Sequence, residues 1–237
     1  MRFGPRLHLL FRFFVGAVAC ILLSTSTAAA EAKVHVITFG KWTSATWTAG
    51  TGSQDDKPQS IKVRALIVDG RVKEYVLGAP HEVTDRLFAV RRAFRINDSL
   101  PDETSAHWQW QRGGWLLVDR TTGRISAINL PEFDALYSTA SWYRDYAAYC
   151  GVSDDGKKIF AIVAQVSRRK PVLKKPLSGD GMAEDAAPDS ACVAPAWLRN
   201  PVRVSFERTG SAKETYAIRG HVVDLVNDSE EEEEGSK

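Results

Sequence analysis

Glycine-containing reversals between β-rich runs constrain the fold of this chain more than any other feature. Residues 61–68 form an apolar, β-branched run that ends at Asp69-Gly70, and residues 71–77 then resume a strand-like pattern. A two-residue Asp-Gly connection favours a type I′ turn, because both of its central residues need positive φ. The sequence therefore predicts an antiparallel hairpin at this point.

The same pattern recurs three times further along the chain. In each case two runs rich in apolar and β-branched residues flank a short polar turn that contains glycine. The predicted hairpins comprise residues 115–118 and 125–130 around the turn 119–124, residues 146–152 and 158–166 around the turn 153–157, and residues 202–208 and 215–226 around the turn 209–213.

Residues 34–39 and 84–96 predict two more strands. In the second of these, aromatic and β-branched residues alternate on one face, although an i, i+3, i+7 apolar spacing from Leu87 would also fit a helix. We favour the strand, because such side chains suit a pleated surface. Residues 133–137 are the other helical candidate and predict a single turn.

Closely spaced strands with turn residues between them predict an all-β fold, in which antiparallel hairpins form a sandwich or a small propeller-like arrangement. We expect one β-rich domain over residues 31–226, since no shift in composition marks a second domain. Two segments lack the strand pattern, namely a polar loop at residues 49–59 and a proline-rich loop at residues 168–201.

Two of the predicted hairpins resemble the blade hairpins of β-propeller repeats. Residues 152–160, with the sequence VSDDGKKIF, are similar to the Ser-x-Asp-Gly-Lys-like turn that joins two inner strands of a blade. Residues 115–129 are similar through their Asp-x-x-Thr-Gly-Arg turn. The resemblance implies a binding platform or a scaffold, and it brings no catalytic residues with it.

The first thirty residues have the order of a secretory signal peptide. Arginines supply a basic start, an apolar run covers residues 13–23, and small residues end the segment. The run is shorter than the roughly 20 apolar residues that span a bilayer as a helix. We therefore expect a secreted or periplasmic protein with no stable membrane span after cleavage. An uncleaved anchor and a lipoprotein site at Cys20 are the alternatives.

The charge balance is mild over most of the chain. Residues 31–226 carry 27 basic and 23 acidic side chains, a net charge of +4, which does not indicate a nucleic-acid partner. Residues 227–237 hold six acids and one lysine, and they predict a disordered tail. The basic block at residues 168–176 predicts a solvated loop or strand edge, or else a surface for an anionic lipid or polymer.

Cys150 and Cys192 are the cysteines that follow the predicted signal peptide. An oxidising compartment favours a disulfide between them, and two buried free thiols are the alternative. The bond would constrain the proline-rich loop at residues 168–201.

Signals for catalysis are weak. The sequence has no Gly-x-Ser-x-Gly elbow, no His-Glu-x-x-His, no phosphate loop and no zinc-spaced cysteines, so we expect no metal and no cofactor. The nearest approach to a site is His81 with Asp85, which would share one face of a strand, and His107 is a third candidate. Together they would suit a hydrolase or a metal-dependent enzyme whose site is assembled from distant residues. The alternative for residues 81–85 is a polar loop that enters a strand.

Aromatic residues give the better functional hypothesis. Trp108 and Trp110 flank a single residue, so a strand would place both rings on one face. Trp142 and Tyr143 form a second cluster. Exposed rings would bind sugars or a peptide, whereas buried rings would fill the space between sheets.

The leading hypothesis is a non-catalytic, exported β domain that binds or scaffolds an envelope polysaccharide or protein. A further possibility is that an exposed strand edge accepts another chain.

Overall fold

A computed structural model describes residues 34–48, 58–177, 192–208, 212–219 and 222–226. Every regular element in these ranges is a β-strand, which confirms the predicted all-β fold. No helix in this part of the chain is long and apolar enough to cross a membrane. The predicted signal peptide and the predicted acidic tail both lie outside the described residues.

The first sheet has seven strands and contains the first two predicted hairpins. Its strands are β1 (Ile37–Phe39), β2 (Thr43–Trp47), β3 (Gln59–Val68), β4 (Arg71–Glu82), β5 (Leu87–Asn97), β6 (Trp108–Asp119) and β7 (Ile125–Ala127). The strand β5 confirms the strand interpretation of residues 84–96, and the helical alternative is excluded. The strand β2 was not predicted, because residues 43–47 are mostly small and polar.

The strand pairings of the first sheet close a ring. From β2 to β6, each strand pairs antiparallel with the next one along the chain. Five strands joined in this way leave the first and the fifth pointing in the same direction. The pair that closes the ring, Trp47 of β2 with Trp110 of β6, is accordingly parallel.

The Asp69-Gly70 turn has the predicted geometry. Asp69 has φ of 51° and Gly70 has φ of 73°, and Val68 pairs with Arg71 across the two-residue loop. The Asp69 carboxylate also accepts a hydrogen bond from the backbone N–H of Val36 at 3.1 Å, and its other oxygen lies 2.9 Å from His35 Nδ1. The turn thereby anchors the segment that leads into β1.

Both faces of the first sheet bury apolar side chains, but at different ends of its strands. On β3, Ile61 and Val63 lie in one cluster, whereas Leu66 lies in another on the opposite face. The first cluster has a buried core of Trp47, Ile61, Val63 and Ala93. The second has a buried core of Leu66, Val76, Phe88, Val90, Leu116 and Val118.

The second and third sheets are each a four-stranded antiparallel meander in chain order. The second consists of β8 (Ser141–Tyr143), β9 (Tyr146–Val152), β10 (Ile159–Gln165) and β11 (Leu173–Pro176). The third consists of β12 (Ala196–Arg199), β13 (Val202–Phe206), β14 (Glu214–Arg219) and β15 (Val222–Val226). The predicted hairpin at residues 146–166 is confirmed as β9 and β10.

The prediction of one long strand at residues 215–226 was wrong. Two antiparallel strands, β14 and β15, occupy this stretch, and Arg219 pairs with Val222. A continuous strand would have extended well beyond its partner β13, and folding back satisfies the backbone groups of β14 on its second edge.

The second and third sheets pack face to face around one core. Cys150, Ala161 and Val163 of the second sheet contact Val204 and Tyr216 of the third. Between β12 and β8, the indole N–H of Trp197 donates a hydrogen bond to the backbone oxygen of Ser141 at 3.1 Å. The predicted disulfide joins Cys150 to Cys192, with 6.4 Å between their Cα atoms. This bond is compatible with an exported protein.

The predicted loop at residues 168–201 contains more strand than the sequence indicated. Its described parts include β11 and β12, each of which pairs along the edge of a sheet. The basic block places Lys174 and Lys175 on β11, where Lys174 forms an ion pair with Glu132. This confirms the prediction of a charged strand edge, which discourages pairing with a further chain. Residues 178–191 of the loop lie outside the described part.

The turn between β6 and β7 predicts a response to acid. Asp119 accepts hydrogen bonds from Arg86 Nε at 2.8 Å and from the backbone N–H of Thr121 at 2.8 Å. The Arg86 guanidinium, assisted by that N–H, holds the pKa of Asp119 well below its usual range. The pKa of Asp119 is lower in the folded protein than in the unfolded chain, so its ionised carboxylate stabilises the folded protein above about pH 4. This contribution to stability is lost as the pH falls through the pKa that Asp119 has in the folded protein.

We therefore expect Asp119→Asn to flatten the decline of the unfolding temperature between about pH 4 and pH 2. Thermal unfolding of both proteins across that range measures the effect. The Arg86→Gln variant keeps the backbone donors of Thr121 and Thr122 to Asp119, at 2.8 and 3.3 Å, and should give an intermediate slope. Parallel declines in the unaltered protein and Asp119→Asn would contradict the prediction.

Candidate ligand-binding face

One face of the first sheet brings arginine and aromatic side chains together. Paired residues of neighbouring strands share a face, and Arg95 pairs with Trp110 while Asn97 pairs with Trp108. The Arg95 guanidinium carbon lies 5.4 Å from the Trp110 ring centroid and 5.7 Å from that of Trp108. The prediction that both rings share one face is therefore confirmed.

These rings differ in exposure. Trp108 is 59% exposed, whereas Trp110 is half-buried and packs edge-on against Tyr75 with ring centroids 5.2 Å apart. Tyr75 reaches Trp110 across the small side chain of Ala93, which is its partner on β5. We call Tyr75, Arg95, Trp108 and Trp110 the aromatic patch.

The other two predicted binding residues lie elsewhere. The half-buried Trp142 ring stacks on His81, with centroids 5.4 Å apart, and meets Trp115 edge-on at 5.0 Å. Tyr143 stacks on Trp197 at 5.5 Å. Trp142 thus packs against residues of the first sheet, and Tyr143 packs against the third sheet.

The three catalytic candidates are not brought together. His81 Nε2 lies 2.7 Å from the backbone oxygen of Arg144 and donates to it, while His107 Nδ1 lies 3.4 Å from the Glu103 carboxylate. The predicted strand face shared by His81 and Asp85 was wrong, because β4 ends before Asp85 and the chain reverses there. Among the described residues, no group of His, Cys, Asp or Glu could hold a metal ion.

Sequence analysis missed a cleft on the same face of the sheet. One row of paired residues crosses four strands here, from Val63 through Leu77 and Arg91 to Trp115. The cleft has a volume of about 500 Å³. It is lined by Trp42, Ile61, Lys62, Leu77, Gly78, Ala79, Arg91, Arg112 and Trp115. We call it the arginine cleft.

A β-bulge places Arg112 and Trp115 in the cleft together. Residues three apart on a regular strand point to opposite faces, yet Arg112 pairs with Ala93 while Trp115 pairs with Arg91. The extra residue is accommodated at Gly113-Gly114. A Cβ atom on Gly113 would lie 3.0 Å from Arg92 Cβ and 3.2 Å from the Arg92 backbone oxygen, so this close approach favours glycine. The Gly-Gly pair inside a strand was the signal that could have revealed the bulge.

The turn after β7 binds one of the arginines that line the cleft. The helical turn predicted at residues 133–137 is found one residue later, at residues 134–138. There the Ser138 N–H donates to the Asp134 backbone oxygen at 2.7 Å. The Arg91 guanidinium donates to the backbone oxygens of Ala135 at 2.7 Å and Ser138 at 3.3 Å. The turn therefore fixes the position of the Arg91 side chain.

The two guanidinium groups of the cleft, those of Arg91 and Arg112, repel each other. Burial, together with the charge of Arg112, lowers the pKa of Arg91 to about 10. Arg112 stacks over Trp47, with its guanidinium carbon 3.8 Å from the ring centroid, and donates to Gln59 Oε1 at 3.2 Å. Arg91 remains charged at neutral pH, so the cleft presents positive charge to any molecule that enters it.

No protein-family model, no curated protein and no solved structure matches this chain.

Proposed function

We propose that this protein is an exported, non-catalytic binding module, and that the aromatic patch holds a polysaccharide of the cell envelope. The observation that carries the proposal is the Trp108 ring, more than half exposed on a sheet face with the Arg95 guanidinium beside it. A flat apolar ring stacks on the apolar face of a sugar, and a neighbouring guanidinium donates hydrogen bonds to its hydroxyl groups.

The sheet beneath the patch supports this function. Trp110 is held by Tyr75 and pairs with Trp47, which is fully buried. The ring of Trp108 therefore stands on a rigid base, and binding need not order a loop. Sites on regular elements lose less entropy when they bind than sites on mobile segments.

The chain also carries features that favour export and a scaffold role. The signal-like start and the Cys150–Cys192 disulfide both suit an oxidising compartment. We further propose that the second and third sheets are blade-like units of the propeller type. Their four-stranded meander order supports this, as does the β9–β10 turn, where Gly156 has φ of 71°.

The test measures binding of alginate and dextran oligosaccharides by calorimetry. We expect Trp108→Ala to weaken binding about 30-fold, because truncating an anchoring aromatic costs about 2 kcal/mol. The matched control is Leu198→Ala, which removes an apolar side chain of similar exposure, 52%, from the third sheet and should leave the affinity unchanged.

Equal affinities of Trp108→Ala and the unaltered protein would contradict the proposal, as would a lack of binding to both glycans. If a poly-glutamate peptide binds and neither glycan does, the partner of the aromatic patch is a peptide and not a polysaccharide. Unfolding temperatures of all variants check that the fold is intact.

A further inference from the structure

Two residues that line the arginine cleft each carry a buried hydrogen-bond donor for which the described part of the chain supplies no acceptor. Arg91 Nε and Trp115 Nε1 are both buried, and neither forms a hydrogen bond within the described part of the chain. Both residues line the cleft and are direct partners across β5 and β6. Buried donors are paired in nearly all native structures, so two unpaired donors on directly paired residues single out this position for examination of its charge and shape.

The charge of the cleft identifies the kind of acceptor. Lys62, Arg91 and Arg112 line it, and no acidic side chain is among its lining residues. The hydrogen bonds of Arg91 go to the neutral backbone oxygens of Ala135 and Ser138. An anion between the two guanidinium groups would offset their mutual repulsion, whereas a neutral molecule would not.

The remaining lining residues indicate what carries the anion. Ile61, Leu77 and the rings of Trp42 and Trp115 form apolar walls around the cationic groups. The volume of about 500 Å³ falls in the range of small-molecule sites and exceeds what a bare inorganic ion would fill. A guanidinium pair next to indole rings suits a charged group attached to a sugar ring.

We propose that the arginine cleft binds an oxyanion, either a carboxylate or a phosphoryl group, carried on a sugar. The identification of the carrier as a sugar rests on the proposed function, whereas the oxyanion is argued from the cleft alone. The cleft and the aromatic patch lie on the same face of the first sheet, so an acidic polysaccharide could place one charged unit in the cleft.

The test uses glucuronate, glucose 6-phosphate, glucose and inorganic phosphate as probes, with calorimetry and tryptophan fluorescence as readouts. We expect at least one acidic sugar to bind about tenfold more tightly than glucose. Its affinity should fall as sodium chloride rises from 50 to 500 mM, since salt screens the guanidinium groups. Comparison of glucuronate with glucose 6-phosphate identifies which oxyanion is preferred.

Arg91→Gln should weaken binding of the acidic sugar about tenfold or more. The matched control is Arg92→Gln, because Arg92 is adjacent in sequence, lies on the opposite face and pairs with Glu74 at 3.0 Å. Its affinity should change less than about twofold. If Arg91→Gln fails to fold, Arg91→Lys keeps the charge but loses the planar fork, and it should weaken binding by a smaller factor.

The proposal is overturned if none of the acidic probes binds. It is also overturned if Arg91→Gln and Arg92→Gln bind the acidic sugar with equal affinity. If inorganic phosphate binds as tightly as glucose 6-phosphate, the claim that a sugar carries the anion is overturned, and the claim that the cleft binds an oxyanion is supported. These outcomes differ from those expected if the aromatic patch does not bind a polysaccharide. In that case, Trp108→Ala would bind both the monosaccharide acids and the polysaccharide as the unaltered protein does.

Discussion

Replacing Trp47 by Ala should lower the free energy of unfolding by about 3–5 kcal/mol. Trp47 is only 2% exposed and is the largest fully buried side chain among the described residues. It lies in one cluster with Ile61, Val63 and Ala93, all of which belong to strands. Strand backbones cannot move inward independently, so most of the vacated volume should remain as a cavity.

The same substitution should disrupt the pairing of β2 with β6, which closes the ring of strands in the first sheet. Trp47 forms the parallel pair with Trp110, its indole N–H donates to Gln111 Oε1 at 3.2 Å, and its ring supports the Arg112 guanidinium. Loss of these contacts removes the support of Trp110 in the aromatic patch and that of Arg112 in the arginine cleft. We therefore expect Trp47→Ala to weaken ligand binding as well as stability.

Urea unfolding followed by circular dichroism measures the stability change. Trp108→Ala is the matched control, because it removes the same side chain from an exposed position and should change stability by no more than about 0.5 kcal/mol. Trp47→Phe should give an intermediate loss, since part of the volume is kept. A loss below about 1 kcal/mol for Trp47→Ala would show that the cluster does not depend on this ring.

Local turn chemistry made the hairpins predictable. The Asp69-Gly70 reversal depends only on the φ values that its two residues accept, and the structure has the expected positive φ at both. The strand β2 depends instead on distant partners. Its residues Thr43 and Ser44 have no apolar pattern and become a strand only by pairing with Val63 and Lys62 of β3. Such pairing cannot be inferred from the segment itself.

The candidate site was predictable only where strand alternation is regular. Trp108 and Trp110 are two apart on β6, so the period of two places them together. Arg112 and Trp115 are three apart, and the bulge at Gly113-Gly114 reverses the expected faces. Predicting the Arg91–Trp115 pair also requires the register between β5 and β6. The loop that connects these strands has ten residues, and a loop of that length does not determine the register.

Removing the Cys150–Cys192 disulfide should lower the free energy of unfolding by about 4 kcal/mol, the chain-entropy value for a separation of 42 residues. Cys150 belongs to β9 of the second sheet, whereas Cys192 forms an isolated bridge with Arg208 next to the third sheet. The bond therefore joins two sheets that already share a buried core. Since that core contains Val204 and Tyr216, we expect the reduced protein to remain folded but less stable.

The measurement compares urea unfolding of the unaltered protein with that of the double variant Cys150→Ala, Cys192→Ala, each with and without dithiothreitol. Reductant should destabilise the unaltered protein by nearly the amount that separates it from the double variant, because both treatments remove the same constraint from the unfolded chain. The double variant itself should not respond to reductant. Equal midpoints for the oxidised protein and the double variant would mean that the shared core, and not the covalent link, holds the two sheets together.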